Sequence, residues 1–244
     1  MKKPLILVIS VLLIALLTSA CEINMVTGSG KLVTENRQVS GFTSVTFAGL
    51  GELNITQGAN EGLTIEAEDN IMPHITTEVT DGNLYIGFDS ENWQNVVRPT
   101  RTIKFDLMVR NLNQLDLQGL GGVTVNSMRG DAVTVKVGGA GGIKIDSLVA
   151  DALTVNMTGA GNVDLSGKVN TQTINLSGLG NYAGGDLDSQ SATVNLTGAG
   201  GAEVWARGDL TVKISGAGSV SYYGSPTISK TVSGLGVLNS LGNK

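Results

Sequence analysis

The side chains that most often carry chemistry are scarce in this sequence. Among 244 residues there is one histidine, His74, and one cysteine, Cys21, which leaves no imidazole or thiolate set for zinc and no His-dependent nucleophile. His74 follows Pro73 and reads as a loop residue. Carboxylates remain, and a polysaccharide lyase or hydrolase would need them clustered on one groove or around a bound calcium. Asp146, Asp164, Asp186, Asp188 and Glu203 fall at different phases of the repeat described below. Asp131, Asp151 and Asp209 nearly form one column just ahead of a strand, where a polar turn residue is the ordinary explanation. No catalytic residue, metal site or cofactor is therefore expected. Arg129-Gly130-Asp131 and Arg207-Gly208-Asp209 spell the tripeptide that integrins read, yet both fall at almost the same phase, and one turn solution used twice accounts for them.

Cys21 offers a different chemistry. Met1-Lys2-Lys3 is a cationic start, Leu5 to Leu17 is an apolar run broken only by Ser10, and Thr18-Ser19-Ala20 supplies the small residues that a signal peptidase accepts. The run falls short of the roughly 20 residues of a spanning helix, so residues 1–20 read as a secretory signal. Leu17-Thr18-Ser19-Ala20-Cys21 resembles a bacterial lipobox, with Thr18 where leucine is commonest. Residues 1–20 are accordingly expected to be a lipoprotein signal peptide and Cys21 the lipidated residue; the alternative is a plain signal followed by an incidental thiol. Acyl chains such as palmitate, on the sulfur and the freed amine, would anchor the chain, each buried methylene contributing about 0.8 kcal/mol. Glu22, where aspartate would retain a lipoprotein at the inner membrane, points to the outer membrane, facing the periplasm or the outside.

Charge narrows the partners. Losing residues 1–20 removes Lys2 and Lys3, so the formal net charge moves from −5 to −7. Residues 21–111 hold 12 acids against 6 bases, and residues 112–244 hold 9 against 8. Phosphate backbones reward clustered Lys and Arg, so nucleic acid is not an expected partner.

The elements that position these side chains are announced by glycine. Of 34 glycines, 25 lie in residues 112–244, and the triplet Gly-(Leu/Ala)-Gly begins at Gly119, Gly139, Gly159, Gly178, Gly198, Gly216 and Gly234, at intervals of 18 to 20 residues. A fixed period of this length means stacked coils. An eighth copy, Gly49-Leu50-Gly51, stands alone in the first half. Ahead of each triplet the residues alternate, as in Leu153-Thr154-Val155-Asn156-Met157-Thr158, which is the period of a half-buried strand. Two residues before the first glycine stand Leu117, Val137, Met157, Leu176, Leu196, Ile214 and Val232, a core column. A second short strand follows the triplet, with Val123, Ile143 and Val163 inward, and a polar turn closes the coil. Two strands and a turn in about 20 residues leave no room for a crossover helix. The expected fold is all-β, a β-solenoid in the form of a right-handed parallel β-helix with about seven coils; an up-and-down antiparallel sheet is the alternative. Glycine at the corner would serve positive φ or close backbone approach, with the middle Leu or Ala tucked inward.

The first half is β-rich but less regular, with strand-like runs at Ser44–Phe47, Glu52–Thr56, Leu63–Ala67, Leu84–Phe88 and Ile103–Val109. Asp81-Gly82 reads as a hairpin turn, and Ser90 to Arg101 as a surface loop. The chain thus divides into the signal (1–20), a tether (21–30) and one domain (31–244). Within the domain, residues 31–111 form an irregular β region covering one end of the solenoid, 112–238 the repeats and 239–244 a frayed tail. Lys230 occupies a column that is apolar in every earlier repeat, which suits a terminal coil.

These segments together resemble a known family. Gly41-Phe42 leading to Phe47-Ala48-Gly49, then Leu53-Asn54-Ile55-Thr56-Gln57-Gly58, the Asp81-Gly82-Asn83-Leu84-Tyr85-Ile86 hairpin and the closing Ser229-Lys230-Thr231-Val232-Ser233-Gly234 are similar to the head GIN domain of auto-transporter adhesins. The resemblance covers about residues 30–238. It implies a β-helical fold and a secreted or lipid-anchored setting, and it brings no functional residues.

The outward columns are the candidate binding face. Thr154, Thr173 and Thr193 stand five residues before the glycine, Asn156, Asn175 and Asn195 three before, and Thr158, Ser177 and Thr197 one before. Stacked, they make a sheet of hydroxyls and amides. Strand propensity and self-stabilising ladders explain such columns without a ligand; the functional reading is a face for glycan or a cell-surface protein. The expected function is a lipid-anchored envelope protein that binds or adheres, without catalysis. A carbohydrate-active enzyme and a purely structural envelope component are the alternatives.

Overall fold

The interval between glycine triplets is the length of one coil, and the alternation ahead of each triplet turns one set of side chains into a shared core. In the computed structural model, which describes residues 24–88 and 95–244, seventeen strands form one continuous sheet around that core. Successive coils are parallel and in register: Thr134 lies against Thr154, Thr154 against Thr173, Thr173 against Thr193 and Thr193 against Thr211. The core column from Leu117 to Ile214 is at most 1% exposed. The solenoid makes about six turns, fewer than the seven triplets suggest. The last triplet is followed only by the short strand Val237–Ser240, and residues 241–244 add no strand.

From Met128 onward the coils have three sides, not two. Gly142–Met157 is strand throughout its sixteen residues, and it meets the next coil in three stretches: Gly142 to Ile145, Leu148 to Ala150, and Ala152 to Met157. The middle stretch is the segment read above as a polar turn. Its inward positions carry Met128, Leu148 and Leu187, all fully buried, and that apolar column holds the third side against the core. The triplet corners differ from expectation as well. Leu120, Leu179 and Leu235 are 67%, 69% and 89% exposed, so the middle residue points outward.

Chain order and stacking order part company in the first half. Ser44–Phe47 and Glu52–Gln57, which flank Gly49-Leu50-Gly51, lie directly under Gln114–Leu117 and Gly122–Val125. The isolated eighth triplet is therefore the next rung of the corner ladder. Under it lie Asn83–Phe88 and Lys104–Val109, parallel to it although later in sequence. Antiparallel strands then close that end: Gly62–Glu68 on Lys104–Val109, Leu32–Arg37 on Gly62–Glu68, and Ile75–Thr80 on Asn83–Phe88. Asp81 and Gly82 turn the last of these hairpins with φ of 51° and 75°, the left-handed pair of a type I′ turn. An edge-to-face contact between Phe47 and Phe105, centroids 5.3 Å apart, packs the core there.

Two segments expected to be loose are docked. Asn24–Thr27, within the expected tether, pairs in parallel with Asn95–Arg98, within the expected loop. At the far end, Leu241 N–H donates to the Tyr222 carbonyl at 2.8 Å, and the Lys244 ammonium pairs with Asp186 and lies 4.7 Å from the Tyr223 ring. The tail is pinned by a chain of local contacts that no periodicity announces. The signal segment, Cys21 and Trp93 lie outside the described residues.

Candidate functional site

The Thr/Asn face forms as the spacing predicts. Lys136, Asn156, Asn175, Asn195 and Lys213 follow one another across five coils. Asn175 Nδ2 donates to Asn156 Oδ1 at 2.8 Å and Asn195 Nδ2 to Asn175 Oδ1 at 2.9 Å. Ser177 and Thr197 hydroxyls lie 3.4 Å from backbone carbonyls of the preceding coil. Thr154, Asn156, Thr158, Thr173, Thr193 and their neighbours thus share one regular face, and its amides spend hydrogen bonds on one another. His74 ends the short turn Met72–His74 near the capped end, away from this face.

A concavity opens on the third side. A groove of about 520 Å³ is lined by Arg129, Asp131, Val149, Asp151, Lys168 and Asn170 with the backbone between them. Arg129, Val149 and Lys168 are register partners in three consecutive coils. Asp131, Asp151 and Asn170 follow the next register position of the same coils. One outward row therefore reads cation, valine, cation, and the row beside it reads carboxylate, carboxylate, amide, at rungs about 4.8 Å apart. Asp209, the third member of the near-column, registers with Ser191, one position out of phase, and stays apart.

The groove exists because the third side begins here. Met128–Gly130 is the first rung of that side, and among the described residues it pairs with a strand only above it, at Leu148–Ala150. Gln57 takes the place of one below it: its Oε1 accepts the Arg129 N–H at 2.8 Å, and its Nε2 donates to the Arg129 and Arg110 carbonyls at 3.2 and 3.1 Å. This satisfies a sheet edge that would otherwise be left unpaired. Asn170 Nδ2 holds Asp151 Oδ1 at 2.9 Å. Among the described residues Arg129, Lys168, Asp131 and Asp151 make no ion pair, whereas Lys144 pairs with Asp146, Arg207 with Asp188 at 2.8 Å and Lys244 with Asp186. The two Arg-Gly-Asp tripeptides thus differ. Arg129 and Asp131 face an open groove from within the strand Met128–Val137, and Arg207 is occupied.

A second cluster faces the docked N-terminal segment. Glu68, fully buried, accepts hydrogen bonds from the backbone N–H groups of Gly30 at 2.6 Å, Thr100 at 2.8 Å and Arg101 at 3.3 Å, and from the Thr100 hydroxyl. Burial pushes its pKa up, but these donors outweigh it and hold the carboxyl below its ordinary value. Asp69 is lowered by the Ser29 hydroxyl, at 2.6 Å, and the Lys31 ammonium, at 3.3 Å. Asn70 accepts the Ser29 N–H and donates to the Thr27 carbonyl. Three consecutive side chains therefore clasp residues 27–31.

The profile of the family described as "putative auto-transporter adhesin, head GIN domain" matches residues 41–226. The chain belongs to the head GIN domain family. Solved structures carry the same fold. A "putative adhesin" from Bacteroides fragilis superposes with a TM-score of 0.82 at 27% identity, over 88% of this chain and all of that one. A "putative lipid binding protein" from Parabacteroides distasonis gives 0.74 at 23% identity over 89% of this chain and all of that one. A third, described as an adhesin of the same standing from Parabacteroides merdae, gives 0.70 at 19% identity over 89% of this chain and 99% of its own. The last two likenesses are of fold alone. No curated protein sequence matches the chain. Among the described residues no helix of this head GIN chain is long and apolar enough to cross a membrane, and no three His, Cys, Asp or Glu side chains gather in a metal-binding group.

Proposed function

We propose that this head GIN chain is a lipid-anchored binding head of the bacterial cell envelope, tethered at Cys21 in the outer membrane and working by surface contact. The observation that carries the binding role is the groove, where two cations and two carboxylates from three consecutive coils line one concavity and, among the described residues, make no ion pair. The clasp fits the anchoring role. Cys21 precedes the docked Asn24 by three residues, which span at most about 10 Å, so an acylated Cys21 would hold the capped end against the bilayer and leave the triplet coils free to meet a partner. The Thr/Asn face, with its amides bonded to one another, is assigned a structural role.

A carbohydrate-active enzyme is the second reading, because Asp131 and Asp151 line one groove from adjacent coils. Both are exposed, whereas a carboxyl that acts as an acid works best shielded from water. The test has two arms. Cys21→Ser should move the protein from the membrane fraction to the soluble fraction, and a mutant that stays with membranes refutes lipidation. The purified mature protein should retain envelope or cell-surface material without releasing new reducing ends from polysaccharide. Release of reducing ends that is lost in Asp151→Asn would establish the enzyme reading instead.

A further inference from the structure

The groove also indicates what class of partner it takes. We infer that it is a glycan subsite, binding a neutral oligosaccharide segment laid along the rod axis; this rests on the binding reading above. Its charges cancel, with Arg129 and Lys168 against Asp131 and Asp151. An acidic polymer drawn to the cations would meet the carboxylates beside them, and a basic one would meet the reverse. What suits alternating donors and acceptors is a ligand whose groups are both, and a hydroxyl is both. The carboxylates and the Asn170 amide oxygen accept from sugar hydroxyls, and Arg129 and Lys168 donate to them.

The geometry suits a chain molecule. The two rows advance from coil to coil at about 4.8 Å, comparable to the length of one sugar ring, so successive rings meet successive rungs of polar groups. Val149, 40% exposed between the two cations, offers an apolar surface to the C–H face of a ring. The groove is open along the rod, which admits an internal stretch of a polymer. Its groups are held in advance, Asp151 by Asn170 and the Arg129 backbone by Gln57, which lowers the ordering cost of binding.

The test uses the mature protein on a printed array of neutral and uronic-acid-containing oligosaccharides, with calorimetry on the hits. Neutral oligosaccharides should bind, and Arg129→Ala, Asp131→Ala and Asp151→Ala should each weaken that binding at least tenfold while leaving Tm unchanged. Asn195→Thr, on the ladder face, should leave it intact. Neutral glycan binding insensitive to the three groove variants, or binding confined to acidic glycans, overturns the subsite. Retention of cell-surface material that protease treatment abolishes and glycosidase treatment spares also overturns it, in favour of a protein partner, and leaves the binding role standing. No retention of any surface material and no array signal overturns both.

Discussion

At the residue scale, the corner glycines separate two uses of the same residue. A Cβ on Gly139 would lie 2.0 Å from the carbonyl oxygen of Gly119, and the same approach recurs at Gly159, Gly178 and Gly198, each against the triplet one coil below. The ladder needs glycine for close backbone approach; among the triplet glycines only Gly51 has a left-handed φ. Gly138, its immediate neighbour, is different. A Cβ there meets nothing nearer than the Thr158 hydroxyl oxygen at 3.8 Å. Gly139→Ala should therefore destabilise by about 1–3 kcal/mol through overpacking, read as a Tm lower by roughly 2–4 °C for each kcal/mol in a domain of this size. Gly138→Ala should not lower Tm, since removing glycine freedom from the unfolded chain favours folding where the backbone is compatible. Equal losses in the two variants would refute close approach as the reason for the ladder. The triplets were legible from sequence, but which glycine of a Gly-Gly pair is obligatory depends on the neighbouring coil.

At the element scale, the Glu68 to Asn70 clasp makes the docked N-terminal segment sensitive to acid. Both carboxyls are held below their ordinary values, so the unfolded chain binds more protons in that range. The stability they contribute is complete above the ordinary carboxyl range and is lost as pH falls through the lowered values of the folded state. Hydrogen exchange of residues 24–31, corrected for intrinsic rate, should rise on acidification before that of the triplet coils. Glu68→Gln should raise it at neutral pH, because an amide NH2 would face a backbone N–H and leave donors opposed. Protection unchanged in both experiments would remove the clasp from the account. Neither this cluster nor the third side was visible in the sequence. Alternation reveals a strand only where inward residues are apolar, and the third side carries Gly167 and Ser189 among its inward positions. Glu68 reads as a surface acid until Gly30 and Thr100 are brought to it from 38 and 32 residues away.

For the molecule as a whole, the two ends of the rod are treated differently. Antiparallel strands cover one end, and the other stops at Thr227–Val232, exposed along its length. Lys230 registers with the buried Val212 there, between Ile228 and Val232, which are 41% and 36% exposed. A charge at that position deters end-to-end stacking of an open coil. Lys230→Val should give concentration-dependent association in light scattering, and a strictly unchanged mass would show that the lysine has no such part. The sequence by itself determined the coil: its length, its parallel register, its core columns and its glycine corner, because each depends on residues within one period repeated at the next. Only the tertiary structure decided where the surface opens. The groove joins Gln57 to Arg129, Asp151 and Lys168 across several coils, at the step where a third side begins and an edge must be satisfied. That meeting depends on how the chain order departs from the stacking order in the first half, which no local period encodes.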